Sequence, residues 1–257
     1  MRSWTVKGLL VVAVVMAGFL LWRSSLSGEG GVDGGGIDHR KVAMLVFPGV
    51  ELLDFAGPGE VFAASHGTFG RPTFEVFTVG LTTDRVISQG FVAITPEHKL
   101  TADLEADIVV IPGGDVGVLM ESPLMLSWLR ERLSRGATLL SVCNGALVLA
   151  EAGLLEGGEA TTHHGAIGEL RRMAPRTKVH SDRRVVDNGR VITAAGISAG
   201  IDGALYVVAK LKGLRTAARV AEHMEYDGWK NLEPQLVRIQ GETGPVKSIE
   251  GRVWGGR

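Results

Sequence analysis

Five short apolar runs, each followed by a stretch of helical spacing, set the architecture this chain can adopt. They are Val42–Phe47 (VAMLVF), Phe74–Val79 (FEVFTV), Ile108–Ile111 (IVVI), Thr138–Val142 (TLLSV) and Val191–Ala194 (VITA). Strands buried on both faces of a parallel sheet read this way, whereas half-exposed strands alternate. Between the runs, Leu52–Ser65, Pro123–Arg135, Gly145–Ala152 and Ile201–Lys212 place apolar residues at helical intervals. The alternation predicts an α/β domain with a doubly wound, mostly parallel sheet and helices on both faces. Arg85–Thr95 (RVISQGFVAIT) instead alternates with period two around Gln89-Gly90, which predicts an antiparallel hairpin at a sheet edge. With 257 residues, 45% of them apolar and 21% charged, the chain has material for one substantial core and no disorder signature.

The two ends have a different character. Arg2 and Lys7 precede Gly8–Trp22, fifteen residues without a charge, and Trp4 and Trp22 bracket a span of nineteen residues, about 28 Å as a helix. Residues 1–23 are therefore expected to be a signal peptide or a transmembrane anchor, with the folded part tethered to a membrane or exported and lying outside the cytoplasm. Residues 24–40 form a linker in which Ser24–Asp38 holds six glycines and few apolar groups. The folded domain is expected over 41–230, with 231–257 a tail. A net charge of −1 gives no electrostatic footprint for nucleic acid, so no nucleic-acid partner is expected. Cys143 is the single cysteine, which excludes an intrachain disulfide.

Cys143 stands where the run Thr138–Val142 meets the helical pattern Gly145–Ala152. A strand turning sharply into a helix holds its corner side chain at the carboxyl edge of the sheet, facing the first helical N–H groups. That is a position for a nucleophile, and the positive end of the helix predicts a thiol pKa below the ordinary ~8.5. A lone cysteine is more commonly a buried small hydrophobe, but Asn144-Gly145 after it makes an open corner and not a strand interior.

Ligands in open α/β sheets collect beyond the carboxyl ends of the strands. After the first run comes Pro48–Pro58, in which Asp54 sits among apolar residues at a helix start, as either a first-turn acid or a catalytic group. After the third comes Pro112-Gly113-Gly114-Asp115, where the glycines let the backbone approach another group and the amides could face an oxyanion. After the cysteine helix, Thr161-Thr162-His163-His164 ends a short strand in imidazoles, either of which could serve Cys143 or merely cap a helix. Adjacent histidines cannot both face one pocket from a strand, so no metal site is expected. Ser198 and Asp202, in Gly196–Gly203, read as helix caps or supports of the pocket.

Taken in order, V-F-P-G-V-x-L-L-D-x-x-G-P, I-P-G-G, S-V-C-N-G-A-L-V-L-A-E-A-G-L-L, A-T-T-H and G-I-S-A-G-I-D resemble the ThiJ/PfpI family of the class I glutamine amidotransferase-like superfold. The resemblance runs from about Lys41 to Asp227. It implies a flavodoxin-like sheet, no cofactor, a small-molecule substrate and a homodimer. It also implies Cys143 as nucleophile, Asp54 as the acid sharing a proton with it, His163 as the nearby histidine, the amides of Gly114 and Asn144 as oxyanion-type donors, and His164, Gly113 and Ser198 as pocket residues. The motifs are most similar to isonitrile hydratases and to the ligand domains of AraC-type regulators. Asn144 stands where the former usually carry Thr and peptidase-like members carry His, and His164 replaces a common aromatic. The expected activity is hydration of an isonitrile to an N-substituted formamide through a cysteine thioimidate. The alternatives are a glyoxalase or deglycase acting on 2-oxoaldehydes and a non-catalytic ligand sensor; Asp227–Arg257 reads as too short and glycine-rich for a helix-turn-helix pair.

Overall fold

The computed structural model describes residues 39–66 and 70–231. Seven strands form the central sheet: β1 (Arg40–Leu45), β2 (Phe74–Gly80), β5 (His98–Lys99), β6 (Ile108–Ile111), β7 (Thr138–Val142), β10 (Val185–Asn188) and β11 (Val191–Ala194). They lie in the order β10-β11-β7-β6-β1-β2-β5, and every pairing is parallel except β10 with β11. Side chains alternate between two cores. Ala43 and Leu45 of β1, Val109 and Ile111 of β6 and Leu139 of β7 enter one. Val42, Met44, Ile108, Val110 and Leu140 enter the other. Because both faces are covered, these strands are apolar throughout, as the sequence predicts.

The first face packs under α3 (Pro123–Ser134), α4 (Gly145–Glu151) and α5 (Ile167–Met173), with Trp128 fully buried in α3. The second packs under α1 (Leu52–Ala63), α6 (Ala199–Lys212) and α7 (Leu214–His223). A short helix, α2 (Gly117–Met120), follows β6. The Ser122 side chain accepts the Met125 amide to cap α3, and Pro123 fits its first turn because the proline lacks only an N–H that would be orphaned there.

The hairpin forms, but not at the sheet edge. Strands β3 (Val86–Ser88) and β4 (Val92–Ile94) make a separate two-stranded ribbon, turned by Gln89 and Gly90 at φ 45° and 80°. The Gly49 amide bonds to Ile87 O at 2.8 Å and Ser88 Oγ to Val50 O at 2.6 Å, so the ribbon covers the loop after β1. A second ribbon pairs β8 (Glu159–Thr161) with β9 (Lys178–His180) in parallel.

The expected membrane attachment is corrected here. Among the described residues no helix is long and apolar enough to cross a membrane. The longest, α6, has 14 residues, about 21 Å of helix against a ~30 Å hydrocarbon core. Residues 1–23, on which the anchor rested, lie outside the described residues. The membrane partner, the exported form and the extracytoplasmic placement fall with it.

Candidate active site

The carboxyl ends of β1, β6, β7 and β11 converge on Cys143, and the corner is real. Cys143 follows β7 with φ 57°, and its amide bonds to Ala195 O at 2.9 Å and Ala194 O at 3.2 Å. A left-handed non-glycine residue stores roughly 1–3 kcal/mol that the surroundings must offset. Gly145 makes the turn possible: a Cβ there would lie 2.1 Å from Ile111 O and 2.9 Å from Pro112 O. The start of α4 thus rests directly on the backbone after β6, which carries the cysteine over Gly113.

Asp54 reaches the same point from α1. It is fully buried, and its Oδ2 accepts the Gly113 amide at 2.9 Å. Its Oδ1 is buried without a conventional partner, and the carboxyl interacts with the Cys143 thiol. Burial pushes its pKa up from 3.8 to about 7, and the Glu51 carboxylate adds to this against the opposing Gly113 and thiol bonds. Asp54 thus lies in the first turn of α1, but its carboxyl bonds to Gly113 and the thiol and not to its own helix.

The thiol does not follow the expectation. Burial and then the Asp54 charge push Cys143 up to about 12, although the Asn144 and Ile197 amides bond to the sulfur and oppose the rise. Helix α4, only seven residues long, supplies too small a dipole to outweigh burial. Titrating as a pair, the two groups rest above neutrality as thiol and carboxylate, with one proton between them.

Asn144 does more than lend its amide. Its Oδ1 accepts the Gly114 N–H at 2.9 Å while its Nδ2 donates to Gly114 O at 2.9 Å. The Gly114 amide, an expected oxyanion donor, is thus engaged by a side chain. The amides that reach sulfur are those of Asn144 and Ile197. Nothing in the sequence marks Ile197, a β-branched residue at φ 50°.

His163 ends the loop after β8 and caps the 3-10 turn His164–Ala166, its Nδ1 accepting the Gly165 amide at 3.2 Å. The ring edge lies against Gly196, where a Cβ would come within 2.3 Å of Cδ2. Burial first, then His164, whose ring centroid is 4.1 Å away, hold the imidazole below its usual pKa, opposed by Glu51. Among the described residues no hydrogen bond joins His163 to Cys143. The link is through Thr162, whose Oγ1 donates to Cys143 O at 2.7 Å. His163, His164, Ile197 and Ser198 line a neighbouring groove of about 400 Å³ with Arg183 and Arg184. A groove of about 420 Å³ beside Lys41 and Glu75, at the starts of β1 and β2, contains none of these residues.

The DJ-1/PfpI family matches residues 40–210, which holds the whole constellation. The chain belongs to the DJ-1/PfpI family. Its similarity to an isonitrile hydratase from Pseudomonas putida is 34% identity over 190 residues, 72% of this chain and 78% of that one. An HTH-type transcriptional regulator, CdhR of Pseudomonas aeruginosa, is 28% identical over 178 residues, 69% of this chain and 52% of the regulator. Among solved DJ-1/PfpI structures, Drosophila melanogaster DJ-1beta superposes with a TM-score of 0.65 at 26% identity, covering 72% of this chain and 97% of that one. A ThiJ/PfpI family protein from Pseudomonas syringae superposes with a TM-score of 0.65 at 25% identity, covering 85% and 99%.

Proposed function

We propose that the protein is an isonitrile hydratase-like enzyme acting on a small molecule. The observation that carries this reading is the buried Asp54 carboxyl interacting with a thiol held on a left-handed corner, in a chain 34% identical to an isonitrile hydratase. As the thiol attacks the terminal carbon of R–N≡C, Asp54 takes its proton and passes it to that carbon, leaving the thioimidate R–N=CH–S–Cys143. Water then adds to the same carbon, the nitrogen gains a proton and the C–S bond breaks, releasing R–NH–CHO and the thiol. The net reaction is addition of one water. The Asn144 and Ile197 amides steady charge on sulfur as it attacks and as it leaves. His163, bonded to the Gly165 amide, shapes the pocket wall.

Turnover of isonitriles and of methylglyoxal by the full chain, beside Cys143→Ser, tests the reading. Formamide production lost in the variant supports it. Conversion of methylglyoxal alone would replace it with the glyoxalase reading. A ligand-sensing role, for which the similarity to CdhR speaks, requires tight small-molecule binding with no turnover of either class.

A further inference from the structure

Beside the thiol lies the 400 Å³ groove whose polar walls the proposed chemistry leaves unused. Its lining contains Arg183, Arg184, Ser181 and Ser198 and, among the described residues, no carboxylate. Arg184 is fixed from behind. Its Nε donates to Asp202 Oδ2 at 2.5 Å and its Nη2 to Ser198 Oγ at 3.3 Å. Asp202 is 1% exposed in the first turn of α6, and Tyr226 donates its hydroxyl to the other oxygen at 2.9 Å. The guanidinium is held in one orientation, yet 46% of the Arg184 side chain remains exposed. Arg183, 49% exposed, lies 3.6 Å from Glu159 Oε2, a carboxylate already bonded to His180 and Lys178, and so is held more loosely than Arg184.

We propose that this groove is a carboxylate subsite, so that the substrate carries a carboxylate close to its reactive carbon. Three observations support the assignment. Asp202 offsets Arg184, but Glu159 is divided among Arg183, Lys178 and His180, so Arg183 keeps most of its charge and the pair suits a monoanion and not a dianion. The planar guanidinium fork of Arg184, already oriented by Asp202, matches carboxylate geometry and loses little freedom on binding. Ile197 belongs to both places, lining the groove while its amide bonds to the Cys143 sulfur, so the spacer between carboxylate and reactive carbon is short. The inference rests on the hydratase reading only for the identity of the reactive group. Under that reading the substrate class is an isocyano carboxylic acid and the product an N-formyl amino acid.

Calorimetry on the full chain with N-formylglycine and its neutral amide tests the subsite without requiring turnover. The acid is expected to bind at least tenfold more tightly than the amide, in the wild type and in Cys143→Ser alike. Arg184→Lys keeps a cation against Asp202 and so keeps the fold, but it loses the fork. It should reduce the preference for the acid at least fivefold while leaving affinity for the amide unchanged. Arg183→Gln, at an exposed position, should reduce the preference in the same direction. Equal affinity for acid and amide overturns the subsite, as does retention of the full preference in both variants. Displacement of the acid by inorganic phosphate at equal affinity overturns the assignment to carboxylate. Isocyanoacetate and its amide are assayed separately for turnover: failure to hydrate either, with the acid preference intact, sinks the hydratase reading and supports the subsite.

Discussion

Asp54 and Cys143 meet across the bare Cα of Gly113. A Cβ at that position would lie 2.9 Å from Asp54 Oδ2, 2.9 Å from Cys143 Cβ and 2.2 Å from Asn144 Oδ1. The space that a methyl group would fill is the space through which carboxyl and thiol approach one another. Gly113→Ala is therefore expected to force the Asn144 and Asp54 side chains aside and to shift the Cys143 corner, whose Cβ is fixed by its backbone, and so to lower kcat by roughly 10²-fold, the scale of displacing a general acid–base residue. Circular dichroism and turnover of the same preparation check this. A folded variant with near-normal kcat would remove Asp54 from the chemistry.

The pH profile follows from the same pair. Asp54, raised to about 7, must be ionised to accept the thiol proton, so kcat/KM should rise with pH and level off above an apparent pKa near 7. Asp54→Asn cannot accept that proton, and its kcat should fall by roughly 10²-fold or more at pH 8. A flat profile between pH 5 and 9, or an Asn variant that follows the wild-type curve, contradicts a base at this position.

The thiol offers an independent readout. Burial and the Asp54 charge hold Cys143 at about 12. Iodoacetamide should consequently label the wild type slowly at pH 8, with a midpoint well above that of a free thiol. In Asp54→Asn the charge is gone and burial alone remains, so the midpoint should move down. Labelling rates measured from pH 7 to 11 decide it, and an upward shift in the variant would refute the coupling between the two groups.

Much of this arrangement is legible along the chain because it is local. Continuous apolar runs declare buried parallel strands, and S-V-C-N-G declares the corner, because strand, turn and helix start fall within one stretch. What stayed hidden depends on partners far away in sequence. β5 is two residues long and exists only through its pairing with Val79 and Gly80. The ribbon of β8 and β9 requires Glu159 to meet Lys178. Arg184 gains its role from Asp202, Ser198 and Tyr226, and Ile197 its left-handed backbone from the packing of the loop before α6. The thiol pKa departs from the sequence expectation for a related reason: a helix start is visible in the residues, whereas the burial that overrides it is a property of the folded whole.

Close approach at Gly145 sets a limit on stability. Its missing Cβ faces backbone oxygens, Ile111 O at 2.1 Å and Pro112 O at 2.9 Å, which cannot rotate away. Gly145→Ala should destabilise by about 2–3 kcal/mol, at the upper end for overpacking, whereas Gly168→Ala, in helix α5 where a Cβ meets nothing within 4 Å, should stabilise by up to about 1 kcal/mol. Urea unfolding of the two variants provides the comparison. Equal stabilities would mean that the corner yields easily and that its strain is not held by the β6 loop.

Asp54 also ties stability to pH, with a sign that a surface carboxylate would not give. Its folded pKa, about 7, lies above the ordinary 3.8, so between those values the folded state holds a proton that the unfolded chain has released. The contribution is fully present below pH 3.8 and is lost as pH rises through 7. Between pH 3.8 and about 7 the loss amounts to at most ~4 kcal/mol, at roughly 1.36 kcal/mol per pH unit. Asp54→Asn has no such titration. His163, held below its usual pKa, acts in the opposite direction but is common to both proteins and cancels in the comparison. Urea unfolding at pH 5 and pH 8 should therefore show the wild type losing stability relative to Asp54→Asn as the pH rises. If the difference between them is the same at both pH values, Asp54 is not a buried carboxyl with a raised pKa, and the proton it is assigned to move has no place to rest.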